Sequence, residues 1–335
     1  MADLLITLDV GTTNTRAILW DGSKRPLARA KREVGVRNTA IDGNNLRLAN
    51  AVHDCIMDVL TQQQKTPAEV NRVLASGMIT SNMGLVEVPH LTAPAGVREL
   101  AQGIHKVCLP EVFPSPIWFV PGVKNAVDNI GLDNYETMDI MRGEETEVAA
   151  ILAEYKDAAT PQMIALPGSH SKYVQIDGQN RIAACLTTLS GELLDVITTH
   201  TILSGSLDKQ FVRVEHYSKD LMLTGYRNAA RAGFSRACFS SRILDLFANL
   251  TRQELASYLL GVCLQSDIQA LQYSGALLNV PQGSIVVAGT GAYSVALGDV
   301  LQEERLFERV ETYQASKDVS LAGKGLLYIS DQIEA

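Results

Sequence analysis

Three short glycine-bearing segments combine a bare backbone with hydroxyl and amide groups, the equipment needed to hold an anion. Gly11-Thr12-Thr13-Asn14 offers backbone amides and three polar side chains, and Gly168-Ser169-His170-Ser171-Lys172 offers the same with a cation added. Turn amides and hydroxyls that converge on one point make an anion cradle. Two such cradles facing one another would suit a polyphosphate. Asp9 stands just before the first turn, and a carboxylate there repels phosphate unless Mg²⁺ lies between them. That makes Asp9 the candidate metal ligand and Mg-ATP the candidate occupant. Either turn alone has an ordinary polar-tipped hairpin as its competing reading; the pair, with Asp9, is what points to a nucleotide. A third segment, Gly289-Thr290-Gly291, follows the apolar run Ser284 to Ala288 and would let a helix N-terminus approach a nucleotide. It lacks the GxGxxG spacing of a dinucleotide site, and the chain has neither a GxxxxGK[ST] loop nor a protein-kinase catalytic loop.

The elements around these turns recur. Leu4 to Leu8 is an apolar strand run leading into the first turn, Thr15 to Trp20 a second strand, Asp21-Gly22 a hairpin signal, and Lys24 to Val36 a third strand. Further on, Gln162 to Leu166, the turn at Pro167-Gly168, Tyr173 to Ile176 and Asp177-Gly178 repeat that order. One supersecondary unit used twice predicts a duplicated, two-lobed chain. Helical periods run over Leu46 to Gln64, Val97 to Val107, Gly143 to Tyr155, Ser190 to Leu203, Lys219 to Ala232, Ser241 to Leu250 and Thr251 to Tyr273, with a last piece near Leu321 to Ile329. Glu144, Glu145 and Glu147 occupy the first turn of the Gly143 helix, where the helix dipole favours acids. Val70 to Ala75, Ile117 to Val120 and Ser284 to Ala288 read as buried strands, and Asn228 to Phe234 as a connecting bend.

The bulk properties set bounds. With 335 residues, two domains are the natural prior; 46% hydrophobic and 20% charged residues describe a packed globular chain. A net charge of -8, from 29 basic and 37 acidic residues, argues against a nucleic-acid or membrane surface, so cationic help for an anionic ligand must be local. Arg142 is the candidate for that help, because its guanidinium is a bidentate fork for carboxylate or phosphate; the competing expectation pairs it with Glu144 or Glu145. The five cysteines have no CxxC spacing and read as buried, reduced thiols. No leader or membrane-spanning run is evident, so a cytoplasmic location is expected.

Asp9 through Thr15 resembles the first phosphate motif of the sugar kinase/heat-shock ATPase/actin superfamily, Gly168 to Lys172 its second, and Gly289-Thr290-Gly291 its adenosine motif. The segments Gly77 to Pro89, Asp139-Ile140-Met141-Arg142-Gly143-Glu144-Glu145-Thr146 and Leu166 to Tyr173, with Thr188 to Leu193 and His200, resemble the 2-dehydro-3-deoxygalactonokinase family over essentially the whole chain. The resemblance implies an α/β, two-lobed actin-like (ribonuclease H-like) fold with ATP in the cleft between duplicated lobes, residues 1–152 and 153–335, the last helix returning to the first lobe. It implies ATP- and Mg²⁺-dependent phosphorylation of 2-dehydro-3-deoxy-D-galactonate at its 6-hydroxyl. By position, Asp139 is then the catalytic base, with helix N-capping as its alternative role. Ser81, Asn82, Glu87, Arg142 and Glu144 fall to the sugar acid; Gly11, Thr12, Thr13, Asn14, Gly168, Ser169, Ser171 and Lys172 to the phosphates; Gly289, Thr290 and Gly291 to the adenosine. His170 is expected to be a buried structural imidazole, and Lys172 competes with a solvated strand lysine. Thr80, Leu85 and His90 depart from the family pattern, where glycine, tryptophan and tyrosine are expected. Two rivals follow. One is a kinase for another sugar or sugar acid; the other is a non-catalytic assembly or regulatory module, whose regulators are expected to carry a DNA-binding unit ahead of the first strand, where only three residues stand. A homodimer is compatible with the sequence.

Overall fold

The computed structural model describes residues 3–155, 160–277, 283–314 and 320–333. The first half opens on β1 (Leu4–Val10), β2 (Thr15–Trp20) and β3 (Pro26–Arg32), an antiparallel meander. Helices α1 (Val36–Asp42) and α2 (Leu46–Gln62) follow, then β4 (Val70–Gly77), which pairs parallel to β1 with Asp9 opposite Ser76. Next come β5 (Leu91–Thr92), α3 (Val97–Gln102), β6 (His105–Leu109) and β7 (Phe113–Phe119). The sheet order is β3-β2-β1-β4-β7-β6. Two short strands, β8 (Val123–Lys124) and β9 (Ile140–Met141), join β5 in a small separate sheet. Helix α4 (Glu144–Glu154) completes this half.

The second half repeats the plan. Strands β10 (Met163–Leu166), β11 (Ser171–Ile176) and β12 (Ile182–Thr188) form another antiparallel meander. Helices α5 (Ser190–His200), α6 (Leu203–Leu207), α7 (Lys219–Ala232), α8 (Phe234–Phe247) and α9 (Arg252–Tyr273) lead to β13 (Ser284–Ala288), α10 (Ala292–Glu303), β14 (Arg309–Tyr313) and α11 (Leu321–Asp331). The order β12-β11-β10-β13-β14, with β13 parallel to β10 and β14 parallel to β13, matches β3-β2-β1-β4-β7 strand for strand. This is the duplicated α/β arrangement that the two hairpin signals implied.

The duplication extends to atomic detail. After each meander a helix start presses on the hairpin tip through a glycine. A Cβ at Gly35 would lie 2.5 Å from Gly11 O, and one at Gly191 would lie 2.0 Å from Gly168 O. In the first unit Val36 N and Arg37 N donate to Gly11 O and Thr12 O; in the second Glu192 N donates to Ser169 O. Each tip is thereby braced from behind and held in one conformation.

The cores follow the sheets. One apolar cluster lies under α2, built on Ile6, Leu8, Val52, Ile56 and Phe119. Another is walled by α7, α9 and α10, around Tyr173, Leu255, Leu259 and Leu297. A third joins the halves: Leu74 and Val120 of the first sheet side, Ile164 and Val174 of the second, with Ile151 of α4 and Leu326 of α11 between. Helix α11 packs on α4 and touches β1, so the C-terminal helix lies against the first sheet. No helix among the described residues is long and apolar enough to cross a membrane.

Several elements differ from expectation. The helical period read through Val107 stops at Gln102, because Gly103 ends α3 and His105–Leu109 pairs antiparallel with β7. The expected bend over Asn228 to Phe234 is the last turns of α7, whose polar face is solvated; the break comes at Gly233, φ 84°. The third strand covers Pro26–Arg32; Glu33 to Gly35 is a connection, and Val36 opens α1. Strands β12 and β14 and helix α10 have no sequence counterpart above; β12 and β14 owe their conformation to pairing with neighbours. Of the five free cysteines four are buried, but Cys108 is exposed on β6.

Substituting Gly191→Ala forces a methyl group into Gly168 O, so a loss of roughly 1–3 kcal/mol is expected from overpacking. Gly178→Ala, with nothing within 4 Å of the added methyl, should stay within about 0.5 kcal/mol; urea unfolding midpoints of the two variants check this.

Candidate active site

Both hairpin tips open on one cleft. A cavity of about 690 Å³ is lined by Gly11 and Thr12 from the first tip and by His170 and Lys172 from the second. Its other walls include Ser81, Asn82, Glu87, Val88 and His90 from the segment after β4, and Asp139, Arg142 and Glu144 around β9. A second cavity of about 630 Å³ beside α7 and α8 carries Arg227, Arg231 and Arg236 but no carboxylate, so it lacks a group that could accept a proton.

Asp139 is held at the edge of the small sheet, not at a helix N-cap; α4 is capped by Gly143. Asn125 ties this edge to the second half. Its backbone N donates to Asp139 O at 2.9 Å, and its Oδ1 accepts from Cys185 N at 2.8 Å. Its Nδ2 also donates to Cys185 O, 3.0 Å away, so the segment carrying Asp139 is pinned to β12 of the second sheet. An amide can both donate and accept in this way, which an ionised carboxylate in its place could not do. The carboxylate of Asp139 then accepts from Thr187 N and Thr187 Oγ1, each at 2.6 Å, and from Ile140 N at 2.6 Å. All three partners donate, so the group acts purely as an acceptor. Oδ1 takes two of these bonds and Oδ2 one, leaving Oδ2 a lone pair for a further donor.

Lys172 is only 6% exposed, which rules out the solvated strand lysine. It stands opposite Thr187 across the β11–β12 ladder. Its Nζ donates to Thr187 Oγ1 at 2.6 Å and to Ile140 O at 2.8 Å. An ammonium has three donors, so one remains for a ligand. Lys172, Thr187 and Asp139 thus form one chain of contacts between the halves.

Arg142 does not pair through its guanidinium with Glu144 or Glu145. Nη1 donates to Thr80 Oγ1 at 2.6 Å, while Nη2 donates to Val88 O at 2.8 Å and lies 3.3 Å from His90 Nδ1. Glu144 instead accepts from the backbone N of Arg142 at 3.0 Å. Two of the three family departures, Thr80 and His90, therefore hold this arginine, while Leu85 packs on the first core. Burial, then the charge of Arg142, lowers the His90 pKa to about 4, so the ring is neutral. His170 is not buried: its side chain is 44% exposed, lines the cleft and meets Glu192 Oε2 at 2.9 Å. The expectation of a buried imidazole fails because Gly168 to His170 forms the tip itself.

The start of α4 brings acids to the same place. Gly143 adopts φ 110°, and its Cβ position would lie 3.2 Å from Gly77 Cα, so the helix begins against the end of β4. Burial raises the pKa values of Glu144 and Glu145, the latter also through the Glu144 charge. Glu147 is pushed up to about 8, first by burial and then by the charges of Asp9 and Glu144. Asp9 faces Arg16 across the β1–β2 ladder and pairs with it at 2.9 Å. Glu147 and Thr187 went unread in the sequence, because a first-turn acid reads as a dipole partner and a strand threonine as ladder filler.

Most of the remaining residues lie around the cleft rather than in its wall. Thr13 and Asn14 line a separate cavity of about 490 Å³ with Lys31 and Arg37. Ser81, itself part of the wall, turns its Oγ back to Met78 O at 2.7 Å. Gly168, Ser169 and Ser171 sit at the second tip, and Gly289, Thr290 and Gly291 join β13 to α10. Strands β10 and β13 are parallel neighbours, so these two turns leave the same edge of the sheet.

Residues 9–323 match the family described as 2-keto-3-deoxy-galactonokinase. The 2-dehydro-3-deoxygalactonokinase of Escherichia coli (strain K12) is 26% identical over 269 residues, 80% of each chain. A solved structure named for a 2-dehydro-3-deoxygalactonokinase protein of Sinorhizobium meliloti superposes with TM-score 0.72 at 22% identity, covering 98% of this chain and 97% of that one. The activator of 2-hydroxyisocaproyl-CoA dehydratase from Clostridium difficile, solved with bound ADPNP, gives TM-score 0.50 at 11% identity, over 100% and 96% of the two chains. The architecture is the two-lobed actin-like fold.

Glu147 links stability to pH. The folded chain keeps this proton up to about pH 8, whereas the unfolded chain releases it near the ordinary 4.5, so raising pH across that window costs stability. Glu147→Gln should therefore gain Tm relative to the parent at pH 8 compared with pH 5, without divalent cations. A difference in Tm that stays the same at both pH values would show Glu147 ionised in the native state.

Proposed function

The chain belongs to the 2-keto-3-deoxy-galactonokinase family, and from that premise we propose that it transfers the γ-phosphoryl group of ATP to the 6-hydroxyl of 2-dehydro-3-deoxy-D-galactonate. It is a phosphotransferase with an alcohol acceptor. The observation that carries the reading of its site is that one cleft collects both hairpin tips, Asp139 and Arg142. We divide the chain at 152/153, with α11 returning to the first lobe; the support is the repeated sheet order and the packing of α11 on α4.

In this reading Gly11 to Asn14 and Gly168 to Lys172 hold the phosphates, and Gly289-Thr290-Gly291 the adenosine. The acceptor hydroxyl points its proton at the open lone pair of Asp139 Oδ2, while Thr187 fixes the carboxylate's orientation. Lys172 offers its remaining N–H to the phosphoryl oxygens. Arg142, steadied by Thr80 and His90, faces the substrate carboxylate, with Ser81, Asn82, Glu87 and Glu144 around the sugar chain. Closure of the lobes would exclude water and protect ATP from hydrolysis.

Mg²⁺ fits the acids present. Glu147 holds a proton that Asp9 helps to retain, the mark of a spot short of positive charge, and Mg²⁺ is commonly bound by one or two carboxylates with substrate phosphates. Asp9, with Glu147 beside it, would hold the ion, which would supply charge neutralisation on the phosphates.

Asp139→Asn should bind ATP normally and lose at least about 100-fold in turnover, the scale of a missing general base; turnover near the parent value would remove Asp139 from that role. A coupled ADP-release screen over sugar acids and neutral sugars tests the substrate. Release stimulated by 2-dehydro-3-deoxy-D-galactonate is expected, and ATP turnover indifferent to every sugar acid would favour an assembly module instead.

A further inference from the structure

Behind the second hairpin tip lies a buried polar hub that the mechanism does not use. Asp267 of α9 is 0% exposed. Its Oδ2 accepts from Tyr173 Oη at 2.9 Å and Tyr293 Oη at 2.8 Å, and its Oδ1 accepts from Ser190 Oγ. Tyr293 Oη in turn is the partner of Ser171 Oγ at 3.2 Å. These partners sit on three elements: Ser171 and Tyr173 on β11, Ser190 at the start of α5, and Tyr293 in the first turn of α10. Two of those elements carry turns assigned above to the nucleotide, and α5 braces the Gly168 turn through Gly191.

Folding alone does not ask for a carboxylate here. In the first half, the helix preceding the parallel strand meets its sheet without an acid: Cys55 of α2 lies buried in an apolar core and reaches Thr15 O of β2 at 3.8 Å. Burying a carboxylate costs far more than burying a thiol unless every lone pair is used. Only the second half carries the acid, and there its donors come from the elements around the two nucleotide turns.

We propose that Asp267 is a positioning residue for ATP: through Tyr293 and Ser171 it sets the separation between the second hairpin tip and the Gly289-Thr290-Gly291 turn. The proposal rests on the reading that ATP occupies those turns. A nucleotide must touch both turns at once, so a change in their spacing weakens its grip while leaving the sugar-acid side, on the first lobe, untouched.

The test is steady-state kinetics on Tyr293→Phe, which removes one hydroxyl from a half-buried side chain, with Asp267→Asn as the second variant. Tyr293→Phe should raise the KM for ATP about tenfold, the scale of a lost hydrogen bond to a charged group, with the KM for the sugar acid unchanged and Tm within a few degrees. Asp267→Asn should move the same parameter in the same direction. A rise in both KM values together, or a fall in Tm with an unchanged KM for ATP, overturns the proposal and leaves the hub a packing device. Calorimetric titration of the parent protein with Mg-ATP separates the two readings. Binding by the parent with unaltered affinity in Tyr293→Phe defeats only the positioning role, whereas no binding by the parent defeats the nucleotide assignment as well.

Discussion

A buried ammonium organises this molecule. Lys172 lies on the second sheet with almost no solvent, and a charge removed from water needs acceptors at once. One of them, Ile140 O, belongs to the small sheet of the first half, and the other, Thr187 Oγ1, also donates to Asp139. Satisfying the cation therefore draws the Asp139 segment against the second lobe. Asn125 makes the same connection through backbone groups two residues away on β12, and Ala95 pairs with Ile182 further along that strand. The edge strand of the second sheet is thus stitched to the first half at three points, and the cleft opens beside the first of them, at Thr187.

The acids at and behind the cleft divide by environment. Glu144, Glu145 and Glu147 share one helix start and are desolvated together, so their proton affinities rise. Asp139 instead sits at a sheet edge among donors. Four carboxyl groups in a small space would repel each other if all were ionised. Burial favours the proton at Glu144, Glu145 and Glu147, whereas the Asp139 carboxylate accepts from Thr187 and Ile140. The guanidinium of Arg142 is held by hydrogen bonds to Thr80 and Val88 and by contact with His90, all neutral partners.

Duplication explains why the same braced hairpin tip occurs once in each half. Each meander ends in a tip pinned from behind by a helix start, and each pin requires a glycine because backbone meets backbone. The halves then diverge in what they add. The first half supplies an acid before its tip, Asp9, and the second supplies a cation after its tip, Lys172. Between its meander and the next parallel strand the second half has α5 to α9 where the first has α1 and α2, and its α9 carries Asp267 of the polar hub.

The sequence by itself determined the repeated unit, the class of fold and half of the residues that line the cleft. Hairpin turns, strand runs and helix periods are local patterns that survive without tertiary context, and the Asp139 to Thr146 run carried its resemblance in consecutive residues. Long-range partners were not legible. That Lys172 is buried, that Thr187 joins it to Asp139, that His90 and Thr80 hold Arg142, and that His170 is exposed all depend on cross-strand register and on contacts between distant segments. Strands β12 and β14 escaped notice for a related reason, since pairing with a neighbouring strand, not their own composition, makes them strands. Only the tertiary structure decided which polar residues share a surface, because hydrogen bonding and desolvation act through space and leave no period along the chain.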